Sequence, residues 1–306
     1  MSFAGAPGWL WIAFTMFAVV MQSVRTAGQK QLSSTLDPLT VTMVRFLYGL
    51  PFAAIYLWAV WSPAPDAGLP GLTFWIFTVA GGLAQIVATV LLVKLFALRN
   101  FAVGTTFART EAFLTAMLGT LLFGEALGGL AWLGVMVSVA GVVALSVTRT
   151  SGSLTLDRTT FFSRAGAYGL ATGGLFALSS LSIRTASHSL GMPDPLSSAA
   201  LTLVAMLLVQ TTICVGWTAA RDAGAFRAML RHGRLCVVVG LTSALGSVGW
   251  FTALTLERAA YVKALGQAEF VLSLMISTLV FKERSSAAEL SGIALVAAGI
   301  VVLLLA

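Results

Sequence analysis

Residues 251–301, FTALTLERAAYVKALGQAEFVLSLMISTLVFKERSSAAELSGIALVAAGIV, repeat residues 93–143, VKLFALRNFAVGTTFARTEAFLTAMLGTLLFGEALGGLAWLGVMVSVAGVV, at a displacement of 158. At that spacing Glu111 falls on Glu269, Met117 on Met275, Phe123 on Phe281, Glu125 on Glu283, Gly134 on Gly292 and Gly141 on Gly299. Apolar pairs align by chance in a chain this rich in Leu, Ala and Val. The glutamates do not, because the whole sequence holds only 11 acidic residues. Similarity at a fixed displacement is the signature of a duplicated architecture. The echo extends to the start of each half, where Ser23-Val24-Arg25-Thr26-Ala27 is answered by Ser182-Ile183-Arg184-Thr185-Ala186, and Asp37-Pro38-Leu39 by Asp194-Pro195-Leu196. One unit over residues 1–149 and a second over 164–306, joined by the loop 150–163, account for the chain.

Each unit is built for lipid. Of 306 residues 58% are hydrophobic and 9% charged, and the mean hydropathy is +0.95, whereas a soluble domain carries roughly a quarter charged residues. A helix crossing hydrocarbon needs about 20 mostly apolar residues. Ten such runs lie near 9–29, 39–61, 72–96, 101–123, 130–148, 164–185, 195–218, 235–256, 260–281 and 287–305. With no alternating barrel-type segments, helices are left to satisfy the backbone in the membrane. The expected fold is an all-α polytopic membrane protein of ten transmembrane helices. Five helices per half is an odd number, so the second half enters the membrane upside down relative to the first.

Several function classes are excluded at this level. Cys214 and Cys236 both fall inside apolar runs and read as small buried hydrophobes. His188 and His232 sit in loops far from any second ligand, so no metal site is expected, and no motif asks for a cofactor. The net charge of +7 comes largely from loop arginines, which argues for retention of loops by positive charge and against nucleic-acid binding. Lys30, Arg99, Arg149, Arg158, Arg221, Arg227, Arg231, Arg234, Lys282 and Arg284 all follow odd-numbered runs. Positive-inside then places both termini outside and the 218–234 loop in the cytoplasm. The first eight residues carry no Lys or Arg and lack the basic start of a secretory signal.

Ionisable residues inside such runs are costly and mark function. Glu111, in the fourth run, and Glu269, in the ninth, both fall near the bilayer midplane, where inverted symmetry keeps equivalent residues together. Each must be paired, protonated or turned to a wet cavity. Arg109 accompanies Glu111; Lys263 and Gln267 accompany Glu269. On an ideal helix Lys263 and Gln267 share a face and Glu269 points about 200° away from Gln267, so another helix must pair with one set, Arg45 and Lys94 being candidates. Arg45, about two turns into the second run, costs roughly 2.5 to 3.5 kcal/mol against lipid and should face the interior. Trp250 follows the glycines Gly240, Gly246 and Gly249 and either lines a cavity or packs the core. Arg25 and Arg184 close equivalent helices and read as gates near opposite mouths, or as snorkelling residues. Glu125 and Glu283 lie 14 residues beyond the midplane pair, about 21 Å at 1.5 Å per residue, and read as structural caps. Gly134, Ser138, Gly141, Gly292 and Gly299 allow close helix approach, either in a dimer or within one chain.

Taken together, two five-helix halves, Phe-Gly-Glu at Phe123 to Glu125, Phe-Lys-Glu at Phe281 to Glu283, and the glycine-bearing helices after them resemble the EamA-type branch of the drug/metabolite transporter superfamily. The resemblance covers nearly the full chain. It implies a secondary transporter, commonly an exporter of amino acids, other metabolites or toxic compounds, working by alternating access around a central cavity. Many members of that family have a proline in the middle of the fourth and ninth helices, where this sequence has Glu111 and Glu269 at or beside the position. The expectation is an inner-membrane exporter of a small zwitterionic or amphipathic metabolite with proton exchange. Glu111 and Glu269 take a proton or an ammonium, while Arg45, Arg109 and Lys263 neutralise them or hold a carboxylate. Its partners are a small-molecule substrate, protons and membrane lipids, with no nucleic acid, in a monomer or homodimer. Alternatives are an importer of an anionic or vitamin-like metabolite, and a membrane-embedded enzyme or lipid-handling protein; the last lacks a His partner for any Ser or Thr nucleophile, so no enzyme is expected.

Overall fold

The computed structural model describes residues 7–62, 69–96, 108, 110–149, 164–222, 224–269 and 287–306. Among these the chain is all helix and connection. The helices are α1 (Leu10–Leu32), α2 (Pro38–Leu47), α3 (Leu50–Val60), α4 (Leu72–Phe96), α5 (Glu111–Leu122) and α6 (Gly129–Arg149), followed by α7 (Arg164–Ser189), α8 (Pro195–Arg221), α9 (Gly224–Arg231), α10 (Gly233–Leu256), α11 (Ala259–Gly266) and α12 (Ala287–Leu304). Six spans are long and apolar enough to cross a membrane among the described residues, with α2 and α3 together forming one of them. The fourth and ninth runs are described only in part.

The two Asp-Pro-Leu echoes are helix starts. Asp37 accepts hydrogen bonds from the N–H groups of Leu39 (3.0 Å) and Thr40 (3.2 Å) and from the Thr40 hydroxyl. Asp194 accepts from Leu196 (3.2 Å) and Ser197 (2.8 Å). In each case the following proline occupies the first helical turn, where its missing N–H costs nothing. The second run breaks at Tyr48–Gly49 into α2 and α3. Pro51 supplies no N–H to the Leu47 carbonyl one turn earlier, which interrupts the ladder there.

Polarity is arranged inside out. Along α4, Ile76, Val79, Leu83 and Val87 are exposed at helical spacing, while Thr78, Gln85 and Thr89 are buried on the other face. Trp58 on α3 is 83% exposed. Such a surface suits hydrocarbon, and the buried Gln85 and Thr89 find partners on neighbouring helices. Cys214 and Cys236 are free and buried.

The helices pair as α1 with α10, α4 with α7, α2 and α3 with α8, α5 with α11, and α6 with α12. In addition α5 packs on α7 and α11 on α1. Exchanging the elements of one half for those of the other leaves these pairings unchanged. The small residues of the last pair are used within the chain. A Cβ on Gly141 would sit 2.6 Å from the Val296 nitrogen, and one on Gly134 2.9 Å from the Gly299 carbonyl, so α6 and α12 approach at backbone distance. α9 was not expected. It falls in the basic 218–234 loop, turning Ala225 and Met229 inward and Arg227, Leu230 and Arg231 outward.

Candidate functional site

The buried polar faces of α1, α2, α4, α7 and α10 meet the start of α5 and the end of α11 around a cavity of about 140 Å³. Its walls hold Arg25, Arg45, Glu111, Lys263, Glu269 and Trp250, drawn from both halves of the sequence. Lys263 Nζ lies 2.8 Å from Glu111 Oε1, a charge contact between α11 and α5. The same ammonium stands over the Trp250 ring, 4.3 Å from its centroid, where the ring's negative face attracts it. Trp250 Nε1 donates to Gln22 Oε1 at 3.0 Å. That bond fixes the Gln22 amide, so its Nε2 faces Glu269 Oε2 at 3.4 Å, with the Ser23 hydroxyl 3.5 Å from Oε1. The two repeat-equivalent glutamates are thus connected through Lys263, Trp250 and Gln22.

Gly266 makes this arrangement possible. A Cβ there would sit 2.7 Å from the Trp250 ring, so only glycine lets the indole lie across α11. At the next residue the regular helix ends, and the Gln267 N–H turns to the carbonyls of Ala264 and Leu265. Lys263 and Glu269 therefore both reach the cavity. Gln267 does not: its Oε1 accepts from Ser138 of α6 at 3.1 Å. Lys263 and Gln267 therefore do not share a target: one side chain meets Glu111 in the cavity and the other Ser138.

Arg45 is buried and donates from Nη1 to the Thr89 hydroxyl at 2.9 Å. Thr89 donates in turn to the Gln85 carbonyl, and Gln210 Nε2 donates to Gln85 Oε1 at 2.9 Å, tying α2, α4 and α8 together. Neither proposed partner from the sequence joins an acid here, since Arg45 meets a hydroxyl and Lys94 lies exposed on a groove between α4 and α8. Arg109 lies outside the described residues, as does Glu283.

Arg25 and Arg184, equivalent in sequence, differ in setting. Arg184 is away from the cavity. It pairs through Nε with Glu125 Oε1 at 2.9 Å and donates from Nη1 to the carbonyls of Leu254 (2.9 Å) and Glu257 (2.6 Å). Glu125 Oε2 accepts the Ala259 N–H at 3.2 Å, capping α11 rather than the helix that follows it in sequence. Burial pushes the Glu125 carboxyl above the usual carboxylate range, against the pull of Arg184. These contacts bind the ends of α5, α7, α10 and α11 into one latch. Arg25, expected at a mouth, lines the cavity itself. The sequence reading missed Gln22 and Ser23. The signal for Gln22 was a polar stripe at Gln22, Arg25, Thr26 and Gln29, one helical face of an otherwise apolar segment.

Apolar outside, charged inside, and all helical among the described residues, the chain is a multi-pass membrane protein. Residues 9–147 match the model of the EamA-like transporter family, so the first half of the chain is similar to that family. That family is, by its description, one of transporters. Among solved structures, one described as "Crystal structure of protein" superposes with a TM-score of 0.69 at 15% identity, over 97% of this chain and 98% of its own, a likeness of fold alone. No curated protein matches the sequence.

Proposed function

We propose that this protein is a transporter that moves a small organic metabolite across the inner membrane by alternating access, exporting it in exchange for protons. The proposed units are two inverted five-helix repeats, residues 1–149 and 164–306, joined by 150–163, and the exchange-invariant helix pairing supports that division. The observation that carries the reading is the charged cavity whose walls come from both halves. Two carboxylates, Glu111 and Glu269, face it together with three cations, Arg25, Arg45 and Lys263. Protonating either acid changes the charge that a ligand meets, and a ligand that binds one protonation state better shifts the equilibrium between conformations. Glu111 is held by Lys263, so losing its charge would free the ammonium; Glu269 accepts from the neutral donors Gln22 and Ser23. The Glu125–Arg184 latch serves as the gate on one side.

Proton release in detergent tests this. Adding amino acids, organic cations and organic anions in turn should release protons for one class, and Glu111→Gln with Glu269→Gln should abolish the release. Equal release from the folded double variant would refute the exchange.

A further inference from the structure

We propose that the cavity holds its ligand by an oxyanion group, carboxylate, sulfonate or phosphate, set between Arg25 and Arg45; this deepens the transporter reading and rests on it. Arg25 is 4% exposed and Arg45 5%, and both line the cavity. Among the described residues no salt bridge joins an acid to either: Glu111 pairs with Lys263 and Glu125 with Arg184, while Glu269 and Glu111 attract Arg25 across the cavity without such a contact. Arg25 Nε is buried with no hydrogen-bond partner. Arg45 uses Nη1 on Thr89. A guanidinium offers five donors in a planar fork that fits two oxygens of one anion.

Two such groups on one cavity repel each other. Buried charges with no counter-ion in contact are expensive, and an oxyanion entering between the two guanidiniums relieves both at once. A cationic ligand would find Glu111 already engaged and would add to three cations set against two carboxylates among the described cavity residues. A neutral ligand would leave the arginines as they are. Thr89, itself anchored to the Gln85 carbonyl of its own helix, holds Arg45 of α2 to α4, so this side of the clamp is carried by a hydrogen-bonded helix pair rather than by a loop.

The test is ligand-dependent thermal stabilisation of the purified full chain in detergent at fixed ionic strength, which requires no transport. The probes are acetate, succinate, methanesulfonate and inorganic phosphate, with choline and glycerol as the charged and neutral controls. Wild type should show a saturable rise in melting temperature with at least one oxyanion class, and the class that acts separates carboxylate from sulfonate and phosphate. Arg25→Gln and Arg45→Gln should each weaken that midpoint by about tenfold or more, while Arg227→Gln on the exposed face of α9 should leave it unchanged. Arg25→Lys and Arg45→Lys keep the charge without the fork, and they carry the comparison if a glutamine variant does not fold. The clamp is overturned if the oxyanions act no differently from choline or glycerol, if both arginine positions can be changed without effect, or if Arg227→Gln is as damaging. Oxyanion binding without movement across a bilayer would defeat the transporter reading and leave the clamp standing. Transport of choline or glycerol with no oxyanion binding would do the reverse.

Discussion

Glu125 holds two positive ends at once, the Arg184 guanidinium and the N–H at the start of α11. Glu125→Ala strands a largely buried arginine, and the thermal unfolding of the purified protein should register a loss of about 3 kcal/mol or more. Glu125→Gln, which can still accept from Ala259, should lose less. Because burial raises this carboxyl, the pair opens at weaker acid than an exposed pair would. Trp250→Phe keeps the ring under Lys263 but deletes the donor to Gln22. Release of Gln22 should change the response of Glu269 to ligand while melting shifts by only about 1 kcal/mol, the usual worth of one hydrogen bond. At this scale the inward placement of Glu111, Glu269, Arg45 and Lys263 was legible, because a charge in an apolar run has few places to go. Partners were less so. Arg25 and Arg184 carry the same sequence signature, yet one finds a carboxylate and two close carbonyls while the other faces a cavity, a difference set by what neighbouring helices bring near.

Among the elements, the Asp-Pro starts were readable because capping is local, decided within four residues. Asp37→Ala and Asp194→Ala should each cost about 1 kcal/mol in thermal unfolding, and together should add, since the caps belong to separate helices. The α6–α12 contact depends on backbone approach, so Gly141→Leu should unseat it and appear as a broadened, earlier elution in size exclusion. An unchanged profile would mean that the two helices pack elsewhere. The sequence left open whether these glycines serve a dimer or the chain itself, because small-residue spacing is the same in both cases; only the pairing of α6 with α12 decides it. α9 escaped notice because eight amphipathic residues inside a basic loop carry too short a period to stand out. The bend between α2 and α3 was equally hidden, as Pro51 lies within an apolar run whose length alone reads as one helix.

For the whole molecule, the helical membrane character was legible from the apolar runs, and the pairing of helices, unchanged when the two proposed halves are exchanged, supports the division that the matched glutamates and glycines suggest. What the sequence could not supply was the join: Gln22 from α1, Trp250 from α10 and Lys263 from α11 meet only when the halves pack together. The most direct test of transport is counterflow in proteoliposomes loaded with a pH-sensitive dye, using labelled succinate, alanine, phosphate and choline with wild type and Glu269→Gln. Wild type should move at least one labelled solute faster than empty liposomes, with proton movement in the opposite sense, and Glu269→Gln should lose the proton movement. Uptake no different from empty liposomes across every solute, or identical proton movement in both proteins, would contradict proton-exchanging transport through this cavity.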